Sequence, residues 1–119
     1  MRGLTLLVAT DDRVRFRAAL SLACAQGALG GRVRVFCQEV AVSLLVDRPD
    51  PDRATLAAQG LPDLGELVAA AGEMGVALMA CQTGLSAASL GTQCLYATVE
   101  PGGLVGVLAT LDDDRLVVA

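Results

Sequence analysis

The chain has 119 residues, with 13 acidic side chains against 9 basic ones, all of the latter arginine, and a net charge of −4. That length fits one domain with a core large enough to need no disulfide staples, and an acidic, lysine-free chain without a basic stripe excludes nucleic acid as a partner. More than half the residues are apolar, yet only Phe16, Phe36 and Tyr96 are aromatic, so the core must be built from Leu, Val and Ala.

The first element in chain order is Leu4 to Ala9 (LTLLVA), a near-continuous apolar run typical of a strand covered on both faces. It is too short for a signal-peptide core or a membrane span, so the expectation is a cytoplasmic protein with no membrane partner. Thr10, Asp11 and Asp12 follow as helix-capping residues. From Arg13 to Leu29, the residues Phe16, Ala19, Leu20, Ala23, Cys24 and Gly27 recur at helical spacing, and Gly30 and Gly31 end the helix. Arg32 to Cys37 (RVRVFC) reads as the second strand, and Gln38 to Val46 has weak helical character. Asp47 to Gly60 is expected to be a solvated loop with a helical turn near its end, the alternative being a lid over a site.

Asp63 and Glu66 form a capping-box start for a helix with its apolar stripe at Leu64, Leu67, Val68 and Ala71, closed by Gly75. Val76 to Ala80 (VALMA) is the third strand, Cys81 follows, and Gln82 to Leu90 is a short helix. Ala97 to Val99 is a short fourth strand, with Pro101 placed to open a helix over Leu104, Val105, Leu108 and Leu111 before a last strand at Arg115 to Val118. The alternative for Gly103 to Val118 is a hairpin around Asp112, Asp113 and Asp114, three acids that oppose a helix dipole at its C-terminus.

Strand-helix alternation with apolar strands predicts an α/β fold: a three-layer sandwich in which a mostly parallel five-stranded sheet carries helices on both faces. In such sheets, binding crevices lie beyond the carboxyl ends of the strands. That edge collects Thr10 and Asp11, Cys37 and Gln38, Cys81 and Gln82, and the region of Glu100.

Cys81 is either a packed strand-end residue or a thiolate stabilised at a helix N-terminus, with Gln82, Thr83 and Gly84 supplying the first amides. Cys24 lies on the core stripe of the first helix and reads as a packed thiol. Cys37 ends its strand on the same edge as Cys81 and is a candidate second exchanging thiol, against a packing role. Cys94 falls in a loop. The spacings of the four cysteines match no ligand-pair pattern, so no metal is expected, and the scattered glycines offer no nucleotide-cofactor site. Without a histidine there is no general base for cysteine acyl transfer, whereas transfer of a sulfane sulfur needs only a thiolate that attacks a persulfide and yields the sulfur to the next thiol.

The segments "GLTLLVATDD", "RFRAALSLACAQGALGGRV", "VRVFCQEVAVSLL", "LPDLGELVAAAGEMGV" and above all "VALMACQTGL" resemble the DsrE/DsrF-like family of sulfur-relay proteins, which includes the TusD-type subunits. The resemblance covers nearly the whole chain. It implies a small α/β sandwich around a parallel sheet, assembly into homotrimers or homohexamers, and a persulfide-carrying cysteine at Cys81. It also favours a closing helix and strand over the hairpin. The leading expectation is therefore a sulfurtransferase-like carrier that exchanges sulfane sulfur with donor and acceptor proteins or small persulfides. Cys81 is its reactive residue, and Gln82, Thr83, Gly84, Thr10 and Cys37 contribute to binding. The alternatives are a non-catalytic oligomeric module that binds a small ligand or anion at the strand ends, and a thiol redox protein pairing Cys81 with Cys37.

Overall fold

Asp12 accepts hydrogen bonds from the backbone N–H groups of Val14 and Arg15 at 2.9 and 3.1 Å, and this cap turns strand β1 (Leu4–Val8) into helix α1 (Arg13–Ala28). The computed structural model describes residues 1–119. After α1 come β2 (Val33–Cys37), a 3₁₀ segment (Glu39–Leu45), α2 (Arg53–Ala58), α3 (Leu64–Glu73), β3 (Ala77–Cys81), α4 (Gln82–Ala87), a 3₁₀ turn (Thr92–Cys94), β4 (Glu100–Gly102), α5 (Leu104–Ala109) and β5 (Arg115–Val118). All five strands are parallel, in the order β4-β3-β2-β1-β5.

The register sets Leu4, Leu6 and Val8 beside Val33, Val35 and Cys37, and continues the row to Leu78 and Ala80; every one of these residues is buried. Two successive connections, through α1 and α3, step in the same direction across the sheet. Right-handed crossovers therefore put both helices on this face, where they pack on each other. A Cβ at Gly27 of α1 would collide with the carbonyl oxygen of Met74, so glycine is what lets these helices approach. The connection from β4 to β5 runs back across the whole sheet, which places α5 on the opposite face and completes three layers.

The capping box at Asp63 and Glu66 is formed as expected, with the N–H of Glu66 donating to Asp63 at 2.8 Å and the N–H of Asp63 donating to Glu66 at 3.2 Å. The segment before α3 contains α2 and is organised by Asp50, whose carboxylate accepts from the N–H groups of Asp52 and Leu64, both at 2.8 Å. Burial pushes the Asp50 carboxyl up, but those two donors and the charges of Arg17 and Arg13 outweigh it and hold it below its ordinary range.

The fourth strand and the last helix depart from expectation. Tyr96, whose N–H donates to Leu45, and Val99, whose N–H donates to Tyr96, lie in a turn, so β4 begins only at Glu100. Pro101 sits inside β4 instead of opening a helix, which an edge strand tolerates because an outward-facing N–H is not needed there. Gly103 caps α5, and the helix buries Val107 while Val105 and Leu108 of the expected stripe face outward. The closing helix and strand are present in place of a hairpin.

Beneath α5 lies a polar cluster that the alternation in "RVRVFC" does not announce. Thr5 donates to Asp114 Oδ2 at 2.8 Å and accepts from Arg34 Nε at 3.1 Å; Arg34 also donates to Thr110 Oγ1 (2.7 Å) and to the carbonyl of Val107 (3.1 Å). Burial and the Arg32 charge pull the Arg34 guanidinium down, and the Asp114 and Asp112 carboxylates partly offset this. The cluster joins β1, β2, α5 and the lead into β5. Asp114→Ala strands the buried guanidinium and is expected to lower the unfolding free energy by about 3 kcal/mol in urea titrations at pH 7. A loss within about 0.5 kcal/mol, as for an ordinary surface site, would show that the cluster does not hold the sheet together.

Candidate functional site

Strands β2, β3 and β4 end nearly level, because Cys37 is in register with Ala80 and Cys81 with Gly102. The chain leaves each strand differently: β2 runs into Gln38, Glu39 and Val40, β3 passes directly into α4, and β4 passes through Gly103 into Leu104 and Val105 of α5. A cavity of about 810 Å³ opens between these three exits.

Cys81 is both the last residue of β3 and the cap of α4, and it lines this cavity with only 8% of its surface exposed. Gln82 and Thr83 line the wall beside it with exposed side chains. One turn on, Ala87 and Ala88 keep the wall low. The Cys81 side chain makes no hydrogen bond to the first amides of α4, a helix of six residues. Its setting is therefore a concave, mostly apolar surface, without the hydrogen bonds from the first amides that one of the two sequence readings expects.

Gly84 has a separate task. A Cβ built there would lie 3.0 and 3.1 Å from the backbone oxygen and nitrogen of Glu39, and 3.1 Å from Val42 Cγ1. The first turn of α4 is thus seated directly on the start of the 3₁₀ segment. Glu39 has a φ of 51°, a left-handed conformation that a non-glycine residue adopts only when its surroundings fix it. Its carboxylate takes part in none of the ion pairs of the chain, and it is the one charged side chain in the cavity lining.

Four of the expected site residues, Cys81, Gln82, Thr83 and Gly84, thus come together, and two do not. Thr10 follows β1, outside the lining, and its hydroxyl accepts the N–H of Asp12 at 3.1 Å. Cys37 is fully buried on the face covered by α1 and α3, and burial pushes its thiol up to about 12. That placement removes the basis for a Cys37–Cys81 exchange. Cys24 is half-buried with its thiol also raised by burial, and Cys94 Sγ donates to the carbonyl of Gly91 at 2.9 Å; all four cysteines are free. No residue of the Asp47 to Gly60 segment reaches the cavity, which leaves the lid alternative without support. No three Cys, Asp or Glu side chains converge as a metal site would require, and no helix is long and apolar enough to cross a membrane.

Sequence reasoning missed Glu39, Val40 and the Gly102 to Val105 side of the cavity. The rule that crevices open at strand ends points near them, through Gln38 and the region of Glu100. A left-handed glutamate has no local sequence sign.

No family model matches the chain, and neither does any curated protein. Solved structures share its fold, among them the ychN protein from E. coli and MTH1491, a protein of unknown function from Methanobacterium thermoautotrophicum. Each superposes with a TM-score of 0.76 at 17% identity, covering 100% of both chains. At that identity the likeness established is one of architecture alone.

Gly84→Ala gains helix propensity of about 1 kcal/mol. It also forces α4 off the backbone of Glu39, and the net expectation is a loss of about 1–2 kcal/mol in denaturant titrations. A more stable variant would mean that the 3₁₀ segment yields. For Cys37, the folded thiol stays protonated while the unfolded one ionises near its ordinary value of 9.0, so its contribution is complete below pH 9 and is lost as pH rises toward about 12. The chain has no lysine to mask this limb. Cys37→Ala is expected to flatten the fall in stability between pH 9 and 12, whose slope from one such group reaches about 1.4 kcal/mol per pH unit. Cys24 and Tyr96, both also raised by burial, would leave a residual slope, and an unchanged limb would rule out a buried Cys37.

Proposed function

We propose that the protein is a cytoplasmic sulfur carrier of the DsrE/DsrF-like kind, in which Cys81 accepts a sulfane sulfur and passes it to a partner. One observation carries the reading: of the four free cysteines, Cys81 alone lines the cavity at the strand ends. The fold shared with the ychN protein and MTH1491 is compatible with it. Free cysteines throughout the chain suit a reducing compartment.

In the loading step the Cys81 sulfur, as thiolate, attacks the outer sulfur of a donor persulfide R–S–SH. A Cys81 S–S bond forms, the donor S–S bond breaks, and R–S⁻ leaves and takes up the proton that Cys81 gave up. The products are Cys81–S–SH and R–SH, and no external oxidant or reductant enters. Delivery repeats the same exchange on an acceptor thiol, with Cys81 as the leaving thiolate. Gln82 and Thr83 offer polar groups beside the carried sulfur, and Gly84 fixes the wall on which they stand.

The carrier works as a homotrimer or homohexamer in this reading. Its apolar edge supports that: Leu116, Val117 and Val118 of β5 are all exposed, Val118 by 66%, next to exposed Leu22 of α1.

Incubation with a small persulfide donor, followed by intact-mass and peptide mass spectrometry, is expected to show one added sulfur atom on Cys81, lost again on transfer to an acceptor thiol, and no loading of the cavity in Cys81→Ala. Sulfur found only on Cys24 or Cys94 would remove the proposal. A Cys81→Ala protein that binds the same small molecule as well as the parent would favour a non-catalytic binding module instead.

A further inference from the structure

The cavity around Cys81 carries a charge preference that the sulfur-carrier reading does not require. Its lining contains no arginine, although the chain has nine, and its one charged side chain is Glu39. That carboxylate has no cationic partner anywhere in the chain. It is also not free to swing away with its backbone, because the left-handed turn at Glu39 is clamped against Gly84 and Val42. The remaining lining is uncharged, and the rim formed by Val40 and Val105, the latter 85% exposed, offers nothing that would neutralise a negative ligand. The first turns of α4 and α5 add partial positive charge, but each helix has only six residues, and a full macrodipole supplies roughly half an elementary charge at its end, against the whole unit on Glu39.

We propose that Glu39 is a specificity-determining residue: it sets the cavity against anionic sulfane-sulfur donors such as thiosulfate and leaves it open to donors that are neutral or cationic around the reacting sulfur. This rests on Cys81 being the reacting thiol. An anion entering the cavity meets the exposed, uncompensated carboxylate of Glu39, whereas a neutral or cationic donor meets none of that repulsion. Glu39 acts on the ligand's charge and takes no part in the exchange of sulfur.

Methanethiosulfonates of matched size test the charge preference apart from the sulfur chemistry. The attacking thiolate displaces methanesulfinate and forms a mixed disulfide, with the ligand bearing a methyl, a trimethylammonioethyl or a sulfonatoethyl group. Rates at Cys81, read by peptide mass spectrometry, are expressed as the cation-to-anion ratio relative to the same ratio for free cysteine. The expected ratio for the parent protein at low salt is about fivefold above that of free cysteine, as for a solvent-exposed unit charge about 8 Å from reagents that differ by two units of charge, at the dielectric of water. It should fall toward unity in Glu39→Gln and in Glu39→Asn, the latter being at ease in the left-handed backbone. In the parent protein it should also shrink when salt is raised from about 0.01 to 1 M, where the Debye length drops from roughly 30 to 3 Å. A salt-independent ratio of one in the parent, or an elevated ratio unchanged in both variants, overturns the assignment while rapid methylthiolation of Cys81 still supports the sulfur-carrier reading. A Cys81 inert to all three reagents overturns both.

Discussion

The seat of Gly84 on the backbone of Glu39 is the contact on which the site depends. It brings the chain leaving β2 against the chain leaving β3, and so decides that the strand ends face each other across a cavity. The left-handed turn at Glu39 costs about 1–2 kcal/mol. Packing just downstream offsets this cost: Val42, Leu44 and Leu45 of the 3₁₀ segment are buried, at about 1.5–3 kcal/mol for each such side chain. The strain is held in place because releasing it would unpack that segment.

The location of the cavity also depends on how strands end. In open α/β sheets the usual crevice lies where the strand order reverses, here between β1 and β5. That gap is closed by main-chain pairing beyond the strands: the N–H of Ala119 donates to Leu7 at 2.8 Å, and the N–H of Ala9 donates to Ala119 at 3.3 Å. On the other half of the sheet, β3 and β4 give way to helices of only six residues, and glycines at 102 and 103 leave no side chain to fill the space. The crevice opens there because the small residues are there. The same geometry explains why Thr10, at the end of β1, is left outside.

Much of the architecture was legible because its signals are local. Asp12 and the Asp63–Glu66 box mark helix starts by direct hydrogen bonding to neighbours, and the runs "LTLLV", "VRVFC" and "ALMAC" need only apolar content to read as buried strands. The failures came from long-range contacts. Tyr96 is tied to Leu45 across the fold, which delays β4 to Glu100. Arg34 is buried because Thr5, Asp114 and Thr110, all distant in sequence, supply its partners, and nothing local to the strand announces them. The α5 stripe was misphased because the helix starts after Gly103 and not at Pro101, and because its covering duty is thin. Of the site, Cys81 to Gly84 is one contiguous stretch and could be read as such; the opposing walls belong to other strands and could not.

The distinction between Cys37 and Cys81 was nevertheless present in the alternation of the strands. Both cysteines end a strand on the same edge, which made Cys37 a candidate second thiol beside Cys81. Side chains alternate between the two faces, however, and Cys37 is in register with Ala80, one residue before Cys81. Cys37 therefore shares its face with Val33 and Val35, under α1 and α3, where burial keeps it a thiol far above neutral pH. Cys81 has the parity of Met79, toward the face of α5, and at the last position of its strand it meets the cavity rather than a covering helix. A single step of register thus separates a packing sulfur from one that lines the cavity. Edge position alone does not separate the packed thiol from the one that lines the cavity; edge position together with parity does.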